Sequence, residues 1–173
     1  MNNNILTILK NRAIAMAQEP EQKNEASVFI EVIAFTMLSE NYCIESVFVK
    51  EVYPLKDFTP LPGVPSYILG IINVRGQIIP VVDMKKLFGL PEKGLGELSR
   101  VIIIQNEQME FGILANVVHG IQTIGVEEIK DLPPTVSGLG EEYIMGVTKE
   151  SLIVLNAKKL LSDKSIIVHS EVF

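Results

Sequence analysis

The chain has 173 residues, 47% of them hydrophobic, with one cysteine and a formal net charge of −6. That length suits one domain or two small lobes sharing a core. A lone cysteine excludes an internal disulfide framework and fits a reducing compartment, and the acidic balance argues against a phosphate-backbone binder, which carries a basic face.

Residues 1–26 read as a helix and linker ahead of a body at 27–173. Ile5, Leu6, Ile8, Leu9, Ala13, Met16 and Ala17 recur near helical spacing, which predicts a helix over about 4–18 that either docks or caps the body. Glu19 to Ala26 is polar and reads as a linker. The segment is expected to be dispensable for folding of the body. No apolar run approaches the ~18 residues of a membrane-spanning helix, and the pattern of a secretory signal is missing. The expectation is therefore a cytoplasmic protein that reaches a membrane only through a partner, without direct insertion.

From Val28 the period changes. Val28 to Met37 reads as a strand, Ser39 to Asn41 as a turn and Tyr42 to Ile44 as the return strand. Glu45 to Glu51 is compatible with one helical turn carrying Val47 and Phe48. Tyr53 to Thr59 is extended, and Pro60, Pro62 and Pro65 prevent continuous ladder pairing. Gly70 to Met84 reads as two β-branched strands joined by a tight turn over Asn73, Val74, Arg75 and Gly76, with Gly76 able to supply a positive φ. The tip holds Arg75, one of three arginines in the chain. Lys85 to Phe88 reads as a short helix ended by Gly89 and capped at its start by Asp83.

Gly70, Asn73, Arg75, Gly76, Pro80, Val81 and Asp83 form the pattern Gly-x-x-Asn-x-Arg-Gly-x-x-x-Pro-Val-x-Asp. This resembles the signature of the CheW-like family, the coupling proteins of bacterial and archaeal chemosensory arrays. Val49 to Val52 and Thr59 to Gly63 look like the segments that precede it, and the resemblance covers roughly residues 28–165. It implies an all-β fold of two packed, five-stranded, SH3-like barrels and an adaptor that couples chemoreceptors to the histidine kinase CheA. On this likeness the kinase's regulatory domain is bound by one barrel end. The cytoplasmic tip of a methyl-accepting chemotaxis protein is bound at a groove between the barrels. The partner-binding residues it implies are Val49, Glu51, Gly70, Asn73, Arg75, Gly76 and Pro80, and the place of work is a membrane-associated receptor array. The alternative is the scaffold of a non-flagellar pathway, such as one driving pili. Asn116 departs from the family, many members having Asp there.

Much of the first half recurs in the second. Phe111-Gly112-Ile113 repeats Tyr42-Cys43-Ile44, and Val117 to Ile121 falls on Phe48 to Val52, both at an offset of 69. Tyr143-Ile144-Met145-Gly146 matches Tyr67-Ile68-Leu69-Gly70, and Leu155 to Leu160 matches Val82 to Leu87. The chain reads as two pseudo-repeats, about 28–89 and 99–161. Each supplies about five short strands, enough to close one small barrel per copy and so remove exposed edges. Ile71, Ile79, Val81, Ile103, Ile113 and Ile153 are the expected core. The second copy has Lys149-Glu150-Ser151 where the first has its Arg-Gly turn, which moves Arg75 from structure toward function. Glu51 is expected beside it, because the proline-stiffened linker is short and the second copy lacks both residues.

No catalytic constellation emerges. Cys43 lies in a strand and reads as a buried thiol, His119 matches the solvated position of Lys50, and His169 sits near the C-terminus. Two histidines and one cysteine form no metal-ligand spacing, and Gly94-Leu95-Gly96 and Gly138-Leu139-Gly140 are loop glycines without the context of a dinucleotide site. Single-strand nucleic-acid binding needs aromatic stacking residues among basic ones, and no Trp, seven Phe, four Tyr and an acidic balance argue against it. The reading is a protein-binding module with no cofactor, no metal and no enzymatic activity.

Overall fold

The computed structural model describes residues 26–92, 94–96, 98–133, 138 and 140–167; the helix expected over 4–18 lies outside them. Ten strands form among the described residues: β1 (Phe29–Met37), β2 (Glu40–Glu45), β3 (Val49–Pro54), β4 (Ile68–Val74), β5 (Gln77–Val82), β6 (Arg100–Gln105), β7 (Glu110–Ala115), β8 (Val117–Gly125), β9 (Ile144–Val147) and β10 (Ile153–Leu155). They make two five-stranded sheets, ordered β8-β1-β2-β10-β9 and β3-β6-β7-β5-β4. Exchanging each of β1 to β5 with the strand five later turns one order into the other. The stretch from Glu45 to Glu51, compatible with one helical turn, holds a 3₁₀ turn over Ser46–Phe48 and then enters β3.

Each sheet closes by the same device. Beyond β3 the chain comes round to the free edge of β4, where Thr59 and Ile71 exchange two N–H···O bonds of 2.9 Å. Beyond β8, Lys130 and Val147 on β9 do likewise at 3.0 and 2.8 Å. Gly70 and Gly146 permit this, since a Cβ at either would collide with the carbonyl of Thr59 or of Lys130.

The expectation of one barrel per copy does not hold. The hairpin β1–β2 sits in the sheet with β8, β9 and β10, while β6–β7 sits with β3, β4 and β5, so the halves exchange their first hairpins. Alternation along these strands explains their nearly continuous apolar sequence. Val32 and Cys43 face the interior of the first barrel, whereas Ile33, Phe35, Met37, Tyr42 and Ile44 face a core between the barrels. In the other hairpin, Val101, Ile103 and Leu114 fill the second barrel, and Ile102, Ile104, Phe111 and Ile113 enter the shared core. A strand buried on both faces has no reason to alternate with polar residues.

Ile79, Val81, Ile103 and Ile113 are buried as expected, but Ile71 and Ile153 are only half-buried. A bulge between Ile68 and Gly70 resets the parity of β4, so that Ile72 and Val74 face the interior while Ile71 lies outward in the closing bridge. Ile153 packs on the shared core from its margin.

Two four-residue helices follow the last strand of each half: α1 (Met84–Leu87) and α2 (Ala157–Leu160). Asp83 caps α1 by accepting from the N–H of Lys85, and Asn156 caps α2 by accepting from Lys159. The chain after α2 crosses both barrels. Tyr143 Oη donates to Asp163 Oδ2 at 2.6 Å, Tyr67 Oη donates to the Ser165 carbonyl at 3.1 Å, and Ile166 is buried in the shared core.

Candidate functional site: the tip of the β4–β5 hairpin

The ladder of β4 and β5 ends at Val74 opposite Gln77, leaving Arg75 and Gly76 as a two-residue loop. Their φ values are +52° and +86°, the signature of a type I′ turn, whose twist suits the flanking strands. Positive φ at Gly76 was legible; at Arg75 it is an addition, and a side chain held there costs on the order of 1 kcal/mol. Asn73 supports the turn, its Oδ1 accepting from the Gly76 N–H at 2.8 Å.

The Arg75 side chain is 78% exposed, yet it is held by both terminal guanidinium nitrogens: Nη1 donates to Glu51 Oε1 at 3.2 Å and Nη2 lies 3.0 Å from Oε2. Glu51 is itself only 20% exposed, standing on β3 opposite Ile103. The expected pairing is therefore present, and in the planar two-point form that arginine makes with carboxylates.

A second polar group braces the same end of the barrel. Between Val49 and Glu51 the register of β3 on β6 shifts, so that Lys50 is the extra residue of a bulge. Its Nζ lies 2.7 Å from Glu110 Oε1 on β7 and donates to Gln77 Oε1 on β5 at 3.0 Å, and Gln77 Nε2 donates to Glu110 in turn. Sequence reasoning missed this group, reading Lys50 as solvated. The repeat held a signal for it: in the other barrel the matching bulge residue, His119, has Nε2 2.6 Å from Thr36 Oγ1, and Thr36 donates to Asn41, the counterpart of Glu110.

Of the residues the motif singled out, Glu51, Asn73, Arg75 and Gly76 come together at the tip. Val49 is half-buried against the shared core. Gly70 is buried beneath the closing bridge and offers no surface. Pro80 is half-buried opposite Ile71, where β5 needs no N–H because its parallel pairing with β7 is formed by Val81 and Val82. Near the tip, Val52 and Ile78 are exposed on the neighbouring strands.

Cys43 is fully buried, and burial pushes its thiol up to about 12, far from a nucleophilic thiolate. The Asp83 carboxylate is occupied as a helix cap. Among the described residues no cluster of three or more His, Cys, Asp or Glu could hold a metal ion, and no helix is long and apolar enough to cross a membrane.

A family model described as CheW-like domain matches residues 31–165. The chain belongs to the CheW-like family. It is 32% identical over 165 residues to a protein of Treponema pallidum named Chemotaxis protein CheW, covering 91% of this chain and 93% of that one. It is 31% identical over 157 residues to Protein FrzA of Myxococcus xanthus, covering 87% and 92%. The crystal structure of the scaffolding protein TtCheW from Thermoanaerobacter tengcongensis matches with a TM-score of 0.67 at 30% identity, over 74% of this chain and 89% of that one. CheW-like proteins are chemotaxis adaptors and scaffolds rather than enzymes. The CheW-like match spans every strand from within β1 to β10 and includes the C-terminal crossing, so both barrels belong to the family unit.

Proposed function

We propose that this chain couples chemoreceptors to the histidine kinase CheA by binding both. In this reading the kinase's regulatory domain takes one barrel end and the receptor's cytoplasmic tip takes a groove between the barrels. The observation that carries it is the two-point Arg75–Glu51 pair in a strained turn. An ion pair this exposed adds only ~0–1 kcal/mol to stability, while the turn costs about as much, so folding alone gives no reason to keep an arginine there. Held flat and solvent-facing by Glu51, the guanidinium is presented for a partner, and such arginines are frequent hot spots. Glu51, Asn73 and Gly76 fix its position, Val49 and Pro80 set the strands beneath it, and Gly70 closes the barrel that carries them.

The shared core makes the two barrels one body, so a receptor signal reaches the kinase through the geometry of the complex and no phosphate passes through the adaptor. The working unit is residues 27–173, acting in the cytoplasm at membrane-associated receptor arrays. Isothermal titration of the purified chain with a candidate kinase regulatory domain, and separately with a receptor cytoplasmic hairpin, tests this. Binding of both, weakened at least at one by Arg75→Ala, is expected; binding of neither overturns it.

A further inference from the structure

A second concave surface lies away from the hairpin tip. It is a groove of about 700 Å³ formed by β2, β9, β10, the 130–133 segment and the chain after α1. None of the motif residues lines it. Leu90, Leu132, Ile144, Val147 and Ile153 all reach it half-buried, so its floor is apolar surface that the described residues leave uncovered. Its rim carries Glu40, Asp131 and Glu141 against Lys130 and Lys149.

We propose that this groove is filled by the chain's own N-terminal segment, residues 4–18, with its apolar stripe facing the floor. Three observations carry this. The stripe of Ile5, Leu9 and Met16, flanked by Ile8 and Ala13, lies at i, i+4 and i+11, positions that share one face of a helix and suit anchoring in an apolar groove. The segment holds Lys10 and Arg12 and no Asp or Glu, complementing a rim in which carboxylates outnumber lysines. The segment also reaches. The Val28 carbonyl accepts from the Val126 N–H at 2.8 Å, and Val126 is four residues from Lys130 on the groove wall, at most ~14 Å of chain. The eight linker residues Glu19 to Ala26 span up to ~28 Å. A partner that uses this groove must first displace the segment, which makes its occupancy a point of control separate from the arginine tip.

Hydrogen exchange read by mass spectrometry on the full chain tests the proposal. The double substitution Ile5→Asp, Leu9→Asp is expected to speed exchange about tenfold over residues 130–133 and 147–153 and to leave β4 and β5 unchanged. No change over those stretches overturns the proposal, as does a change confined to the β1–β8 face around Phe29 and Ile121. Protection that grows with protein concentration assigns the groove to a second copy and overturns it equally. Independently, Leu9→Cys with Lys149→Cys in one chain is expected to form an intramolecular disulfide under mild oxidation, since buried Cys43 does not compete. Absence of that monomeric cross-link counts against the docking.

Discussion

Arg75 shows how a single side chain can be kept against the preference of its own backbone. Positive φ favours Asn or Gly in a type I′ turn, and Arg75 has neither advantage at +52°. Arg75→Ala retains the backbone strain and loses an exposed pair, so its midpoint of denaturation is expected to stay within about 1 kcal/mol of wild type. Its affinity for the kinase domain or the receptor tip is expected to fall by about 1 kcal/mol or more. Arg75→Asn relieves the strain and is expected to stabilise the fold by about 0.5–1 kcal/mol while binding falls equally. A stabilised variant with full affinity would refute the role given to the guanidinium.

Asp163 is a residue-scale anchor with a pH signature. Hydrogen bonds from the Ser165 hydroxyl and from Tyr143 hold its carboxyl below the usual value of 3.8. A carboxylate whose folded pKa is depressed contributes stability that is present above its unfolded value and lost as pH falls through the folded one. Thermal unfolding of the wild type is therefore expected to lose this share as pH drops below about 4. Asp163→Asn is expected to be less stable at pH 7 and to show a shallower acid limb; parallel curves would remove Asp163 from the account.

Among the elements, the closing bridges are the most exacting. At Gly70, whose φ is +149°, an added Cβ would meet the Thr59 carbonyl, and at Gly146 it would meet that of Lys130. Neither obstacle is a side chain that can swing aside. Gly70→Ala and Gly146→Ala are each expected to cost about 2–4 kcal/mol in chemical denaturation, whereas Gly94→Ala, with open space around it, is expected to be near neutral. Equal effects at all three would mean that the bridges do not close the barrels. The hairpin β4–β5 was the most legible element because turn chemistry, β-branching and the motif agree within fifteen residues. Ile71 was misassigned because period-2 reasoning carries no signal for the bulge at Gly70. The Lys50–Gln77–Glu110 group was missed because its members come from three strands, β3, β5 and β7, brought to one barrel end only by the fold, and the repeat marked only Lys50, through its match to His119.

For the molecule as a whole, the sequence carried the ten strands and their repetition but not the exchange of hairpins. Both copies have the same pattern of apolar faces, so β1–β2 satisfies the alternation equally well beside its own half or beside the other. The choice is made by the shared core, where Phe35, Ile44, Ile104, Phe111 and Ile113 meet α1 and α2. The two halves are therefore not folding units. Fragments 26–96 and 98–173 made separately are expected to lack a cooperative unfolding transition, and mixing them is expected to restore one. Either fragment folding alone would contradict the exchange.

That exchange also governs how the protein is born. β1 and β2 leave the ribosome first, but β10, the strand that must lie beside β2, begins only at Ile153. At ~5–20 residues per second, the first hairpin waits on the order of ten seconds for its neighbour. During that interval Val32, which ends up inside a barrel, and Phe35 and Ile44, which end up in the shared core, have no core to enter. The nascent chain therefore passes through a stage with a sticky, half-made strand pair, and its yield in a cell depends on what shelters that pair until translation is nearly complete.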